Sequence, residues 1–187
     1  KFDYLIGRFT GATAAACLAF LSIPLGIFLG SLMPWVDAET IGPNLWQNYA
    51  FAYVVFGVPN VILTSAVFFA VATLTRSMMG SYIAVVVFLV GYLVATGVLG
   101  QRPEFEESLA LLEPLGSGAF GLATKYFTTL ERNTLLPPLE GVVLWNRLVC
   151  LGLAAVAQTV AYLTFRFSEK PSKTNKKHKL APLVAAS

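Results

Sequence analysis

Four stretches of this chain contain no charged residue: 9–36, 40–75, 77–101 and 148–165. About 17–25 apolar residues at 1.5 Å rise cross the roughly 30 Å hydrocarbon core of a bilayer, so each stretch predicts one membrane helix. The spans are placed at 9–33, 49–74, 79–100 and 142–165. Between the first two, "PWVDAETIGPNLWQ" is a short polar connection with Trp35 and Trp46 at its edges, where interfacial tryptophans belong. "TRSMMGSY" at 75–82 is a tight turn whose one charge is Arg76. A longer segment, 101–141, separates the third and fourth spans.

Inside that segment the apolar positions change period. Ala119, Phe120, Ala123, Tyr126, Phe127 and Leu130 recur at spacings of three and four, while Thr124, Lys125, Thr128, Glu131 and Arg132 take the other face. With Ser117 or Gly118 as N-cap, this predicts one amphipathic helix over 119–132 with Phe120, Tyr126, Phe127 and Leu130 on its apolar face. It either lies on the outer membrane surface or packs over the mouth of a pathway, and the pattern does not choose. "LLPPLEG" at 135–141 then reads as a stiff return, because two prolines fix φ and forbid helix. Trp145 is expected near the surface, with Arg147 snorkelling outward beside it.

Proline and amide residues also interrupt the spans. Pro24 is expected to kink the first by removing a ladder hydrogen bond. In the second, "GVPN" at 57–60 places Pro59 and the polar amide of Asn60 deep in an apolar run. Pro24, Pro59 and Asn60 are thus candidate kinks of a gated pathway, or bends satisfied by neighbouring helices. The first span is rich in small residues, with Gly26 and Gly30 four apart, and is expected to pack closely on another helix.

Composition agrees with a membrane protein. Of 187 residues 56% are hydrophobic and 12% charged, against about a quarter charged in soluble domains. The net charge of +3 gives nucleic-acid binding little support. Its distribution matters more. With four spans, the N-terminus, the turn at Arg76 and the tail share one side, and that side collects most of the lysines and arginines. Asp37, Glu39, Glu104, Glu106, Glu107, Glu113, Glu131 and Glu140 fall on the other. The positive-inside rule puts both ends in the cytoplasm.

Candidate chemistry is sparse. Cys17 and Cys150 sit within apolar runs, without metal-ligand spacing, and are expected to pack as small apolar groups. The one histidine, His178, lies in the lysine-rich tail, so neither a histidine triad nor HExxH occurs, and GxxxxGK[ST] and GxSxG are missing. Glu106 and Glu107 read as a solvated face. No catalytic, cofactor or metal residue is assigned, and the expectation is not an enzyme. "KFDYLIGRF" at the start is amphipathic. Its default reading is an interfacial anchor, its rival a docking site for a soluble partner. The tail 168–187 is a basic linker that cannot bury a core. The chain opens on Lys without a preceding signal peptide, so a piece of a longer chain is expected.

The blocks "KFDYLIGRFTGA", "GSLMPWVD", "VFFAVATLTRSMMGSYIAVVVFLVGYLV" and "ATKYFTTLERNTLLPPLEGVVLWNRLV" resemble the permease subunits of ABC-2 type transporters. The resemblance is strongest to the bacterial branch joined to an M1-type aminopeptidase region. It covers 1–167, and ERNTLLPPLEG with WNRL is its specific part. It implies an all-α half-transporter of about six helices, two of them before Lys1, in the bacterial inner membrane. It implies as partners an ATP-binding subunit carrying ATP and Mg, a second permease half or copy, and the lipid bilayer. Phe2, Leu5, Ile6 and Arg8 would then be the ATPase-coupling face, and 101–141 the external helices. The zinc motif of the peptidase is absent from this chain. The rival reading is a non-transporting membrane anchor or scaffold for a peptidase or assembly complex; an intramembrane enzyme is disfavoured.

Overall fold

The computed structural model describes residues 2–37, 42–100 and 102–165. The basic tail lies outside them. The chain runs through α1 (Phe2–Ser31), α2 (Trp46–Phe51), α3 (Val58–Thr75), α4 (Met78–Leu99), α5 (Glu106–Leu112), α6 (Ser117–Ala123), α7 (Thr129–Thr134) and α8 (Gly141–Thr164). A π-helical turn, Ala52–Gly57, joins α2 to α3, and a 3-10 turn, Pro103–Phe105, leads into α5. Among the described residues every regular element is helical. Phe2–Ser31, Trp46–Thr75, Met78–Val98 and Gly141–Thr164 are long and apolar enough to cross a membrane. The fold is therefore all-α, with four candidate spans.

α1 begins seven residues earlier than the charge pattern alone suggested, because the amphipathic start continues the helix. Arg8 Nη1 donates to Tyr4 Oη at 2.9 Å, one turn away. Phe2 meets Tyr162 edge-on at 6.0 Å, and Tyr4 stacks on Phe165 at 6.1 Å. The start of α1 thus rests on the end of α8. Pro24 lies inside α1, which remains helical on both sides of it.

Lipid gives no hydrophobic drive for helices to associate, so close contact between small side chains has to hold the spans together. Leu63 and Ala66 of α3 meet Cys150 and Ala154 of α8 in the core, with Phe9, Ile62, Val67 and Ala157 packed around them. The small residues that bring helices together are these, on α3 and α8. Gly26 and Gly30 have nothing within 4 Å of where a Cβ would sit, so the close packing expected of them is not made by this chain's described helices. α1 instead lies antiparallel to α2–α3 through a ladder of rings: Phe28–Tyr49, Phe20–Tyr53 and Phe9–Phe69, at 5.8, 6.3 and 5.8 Å. Tyr53 Oη also donates to the Cys17 carbonyl at 2.8 Å.

The π turn has a local cause. Pro59 has no N–H, so the regular ladder loses a donor where α3 begins. The Val58 amide reaches back five residues to the Tyr53 carbonyl, and the extra residue is absorbed there. Pro59 consequently sits in the first turn of α3, where its missing donor costs little. The wider turn leaves Gly57 buried against Phe20.

α3 and α4 are joined by Arg76 and Ser77 alone; Arg76 takes the left-handed conformation (φ 50°) that ends α3. At the opposite end of the spans, α5, α6 and α7 form a cap. The single amphipathic helix expected over 119–132 is two helices instead. Phe120 belongs to α6 and Leu130 to α7, while Tyr126 and Phe127 lie between them, and Tyr126 is 91% exposed. The break comes from Thr128, whose hydroxyl accepts from the Glu131 amide while the Glu131 carboxylate accepts from the Thr128 amide. This capping box starts a new helix and satisfies donors that a continuous helix would have used internally. Gly116, at φ 80°, takes the N-cap position of α6.

A Cβ at Gly57 would come within 2.7 Å of Phe20 Cε1. Gly57→Ala is expected to destabilise the α1–α3 pair by about 1–3 kcal/mol, the usual cost of overpacking. Thermal unfolding in detergent measures it, and Phe20→Leu in the same chain should recover most of the loss.

Candidate functional site: a buried polar cluster beneath the cap

The first turns of α8 carry Asn146 and Arg147, which are 1% and 5% exposed. The cap covers this end of α8, so Arg147 does not snorkel to water as the sequence led one to expect. Its guanidinium turns inward. Nε donates to Asn146 Oδ1 at 2.9 Å, Nη2 donates to the same oxygen, and Nη1 donates to Asn60 Oδ1 at 3.0 Å. Its carbon lies 4.9 Å from the centroid of the Phe56 ring. A buried cation without acceptors would be prohibitive in a medium of low dielectric. Here two amide oxygens and an aromatic face replace water.

Asn146 is the pivot. While its oxygen accepts from Arg147, its Nδ2 donates to the carbonyls of Ala110, Leu111 and Glu113 at 2.8, 3.0 and 2.8 Å. These are orphan acceptors at the C-terminal end of α5, which a helix seven residues long cannot satisfy internally. Asn60 works the same way on the next loop, donating to the Leu115 carbonyl at 3.0 Å. Asn60, a candidate pathway kink in the sequence, is thus a bridge between α3, α8 and the cap.

Glu113 fastens the other side. Glu113 is 7% exposed, and its carboxylate caps the N-terminus of α6, accepting from the Gly118 amide and from Ser117 Oγ. Negative charge there meets the positive end of the helix dipole. Tyr92 Oη of α4 donates to Oε1 at 2.7 Å, tying α4 to the cap. Burial pushes the Glu113 carboxyl up, but hydrogen bonds from Ser117, the Gly118 amide and Tyr92 outweigh it and hold its pKa below the ordinary glutamate value.

Glycine is required at two places. A Cβ at Gly116 would overlap the Arg147 guanidinium and reach the Phe56 ring, and one at Gly118 would fall 2.8 Å from Glu113 Oε2. The φ of Gly116 also favours glycine. Cys150, one turn below Arg147, lies 3.8 Å from the Pro59 and Pro114 carbonyls and is a free thiol packed as a small group, as is the thiol of Cys17 free. Among the described residues no group of three His, Cys, Asp or Glu side chains could hold a metal.

The remaining sequence candidates are scattered. Phe2, Ile6 and Arg8 are exposed at the opposite end of the spans, while Leu5 is 6% exposed and lines a small cavity with Phe2 and Ile6 against Tyr162 of α8. Pro59 touches the cluster through Cys150; Pro24 does not belong to it. Glu106 pairs with Lys125 at 2.9 Å, both half exposed, and the pairing raises the lysine pKa. Asn146 and Glu113 are given no site role by the sequence pattern, and Arg147 is read there only as a residue that snorkels outward. Their signal was an Asn-Arg pair in the first turns of an apolar helix, the place where a polar pair needs partners. No protein-family model, curated protein or solved structure matches the chain.

The Glu113 latch carries a pH signature. Its folded pKa is depressed, so its stabilisation is complete above the unfolded value of about 4.3 and is lost as pH falls through the lower folded pKa. Glu113→Gln is expected to melt below the wild type at neutral pH by an amount worth about 1–3 kcal/mol. The gap should close as pH falls below about 4.3. Melting curves of both proteins across pH, in one detergent, measure it.

Proposed function

We propose that this chain is the membrane-spanning permease part of an ABC-2 type transporter, moving a substrate across the bacterial inner membrane with energy from a separate ATP-binding subunit. The observation that carries the reading is where its most specific residues fall. The WNRL block of the resemblance contributes Asn146 and Arg147, which bind the cap to α3 and α8. The ERNTLLPPLEG block supplies α7 and the proline return into α8. A cap fastened to the spans by a buried cluster couples helix movement to access at that end of the membrane.

In this reading the capped, acidic end faces outward and both ends of the chain are cytoplasmic. ATP-driven closure of the partner acts on the exposed residues Phe2, Ile6 and Arg8, and α1 passes the motion along its ring ladder to α3. The substrate is recognised between this half and a second half or copy. Under the scaffold reading no such energy coupling exists, which makes the two distinguishable.

Purification in mild detergent should bring down an ATPase, and Phe2→Ala with Ile6→Ala should change its turnover several-fold. Finding no associated ATPase, or a turnover indifferent to both residues, favours the scaffold. Orientation has its own measurement, after Cys17 and Cys150 are replaced. Tyr126→Cys should react with a membrane-impermeant thiol reagent in intact cells and Lys177→Cys should not; the reverse pattern overturns the orientation.

A further inference from the structure

The end of the bundle away from the cap is built from the start of α1, the short turn after α3 and the end of α8. Aromatic side chains mark where it meets the bilayer surface. Phe2 and Tyr4 of α1 rest on Tyr162 and Phe165, yet Tyr4 and Tyr162 stay 47% and 40% exposed. Tyrosines so placed belong at the headgroup level. Arg8 and Arg76 are exposed at the same end, and Asp3 is the one acidic residue there among the described residues. Beyond Phe165 the sequence turns strongly basic. Arg166, Lys170, Lys173, Lys176, Lys177 and Lys179 are opposed by Glu169 alone.

We propose that this basic end binds the anionic phospholipid headgroups of the leaflet around it, with residues 170–179 as the main contact. Lys170 follows Phe165 by five residues, at most about 18 Å of chain. The run is therefore tethered beside the headgroup layer, where an anionic leaflet attracts each lysine within a Debye length of roughly 8 Å at physiological salt. Its composition selects a charged surface over a folded partner. Protein hot spots are enriched in Trp, Tyr and Arg, and 170–179 contains none of them. Every full positive charge in it is a lysine, a hydrated point charge that needs no fixed geometry. An arginine fork would suit a phosphate held in one place. Arg8 and Arg76, carried by folded elements, add fixed charge at the same end. The inference needs the spans to cross a bilayer, and it holds whether or not the chain transports anything.

The full chain carrying Cys17→Ala and Cys150→Ala, with an environment-sensitive dye on Asn175→Cys, tests this in lipid nanodiscs. Emission should shift to the blue in discs containing phosphatidylglycerol, relative to discs of phosphatidylcholine alone. Phosphatidylserine should act as phosphatidylglycerol does. The shift should vanish in about 1 M salt, where the Debye length falls to roughly 3 Å. Lys173→Gln, Lys176→Gln, Lys177→Gln and Lys179→Gln together should lower the ratio of bound to free tail on the order of a few hundredfold, about fivefold for each charge. The same four lysines changed to arginine should keep the shift. Equal emission in neutral and anionic discs overturns the proposal. So does a shift that survives salt, or a glutamine variant that responds as the parent does. A shift that appears with RNA or inorganic phosphate and not with phosphatidylglycerol gives the run to a soluble anion and overturns it too.

Discussion

A guanidinium buried at the head of α8 sets the terms for everything packed around it. Arg147 cannot stay charged there without acceptors, and Asn146 and Asn60 provide them from two different helices. Because each asparagine offers its oxygen to the arginine, each is left with an amide nitrogen that must donate elsewhere. The available acceptors are the loose carbonyls of the cap: Ala110, Leu111 and Glu113 for Asn146, Leu115 for Asn60. One buried cation therefore orients two amides, and the two amides fix the segment from Ala110 to Leu115. Removing either partner of such an arrangement typically costs about 3–5 kcal/mol, since the remaining groups stay buried and unmet.

The same arrangement explains how helices of seven residues persist. Isolated helices shorter than about 12–15 residues are marginal in water. α5 and α6 are stabilised at the ends where they face one another, with an amide donor on the C-terminus of α5 and the Glu113 carboxylate on the N-terminus of α6. The neutral amide N–H suits the negative end of the α5 dipole, and the carboxylate charge suits the positive end of the α6 dipole. The glycines follow from this closeness: Gly116 leaves room for the guanidinium and Gly118 for the carboxylate. Phe56, carried by the π turn before Pro59, closes the cluster from below and meets Phe120 of α6 edge-on at 5.9 Å. The irregular backbone in the second span thus presents the ring that the cation requires.

Much of the fold was legible in the sequence, because charge-free length is a coarse property that the bilayer imposes on any chain. The four spans appear where the charges are missing; their ends differ by one to three residues, except that α1 starts seven residues earlier. What could not be read was any feature decided between elements. The stripe from Ala119 to Leu130 has helical spacing, yet Thr128 and Glu131 satisfy each other locally and end that helix before it forms. Arg147 looked free to reach water because nothing in its own helix indicates that α5 and α6 cover it. Asn60 was marked for its polarity, but its partners lie 55 and 87 residues away along the chain. Glu113 was one acidic loop residue among several until Tyr92, Ser117 and Gly118 converged on it.

The cluster is also asymmetric in a way that bears on motion. Parting the cap from α8 and α3 would expose a guanidinium, two asparagines and four carbonyls at once, a group of losses that reinforce one another. Parting it from α4 breaks the described bond from Tyr92 to Glu113, worth about 1.5–3 kcal/mol as a bond to a charged acceptor. α4 otherwise holds to its neighbours through apolar contact such as Phe68–Phe88 at 6.1 Å, and it is joined to α3 by only two residues. The cap, α3 and α8 therefore form the stiff unit, and α4 is held to it by apolar contact and the Tyr92–Glu113 bond. Since Phe88 of α4 lines the cavity of about 280 Å³ between α3, α4 and α8, movement of α4 would change that cavity's width while leaving the buried cation undisturbed.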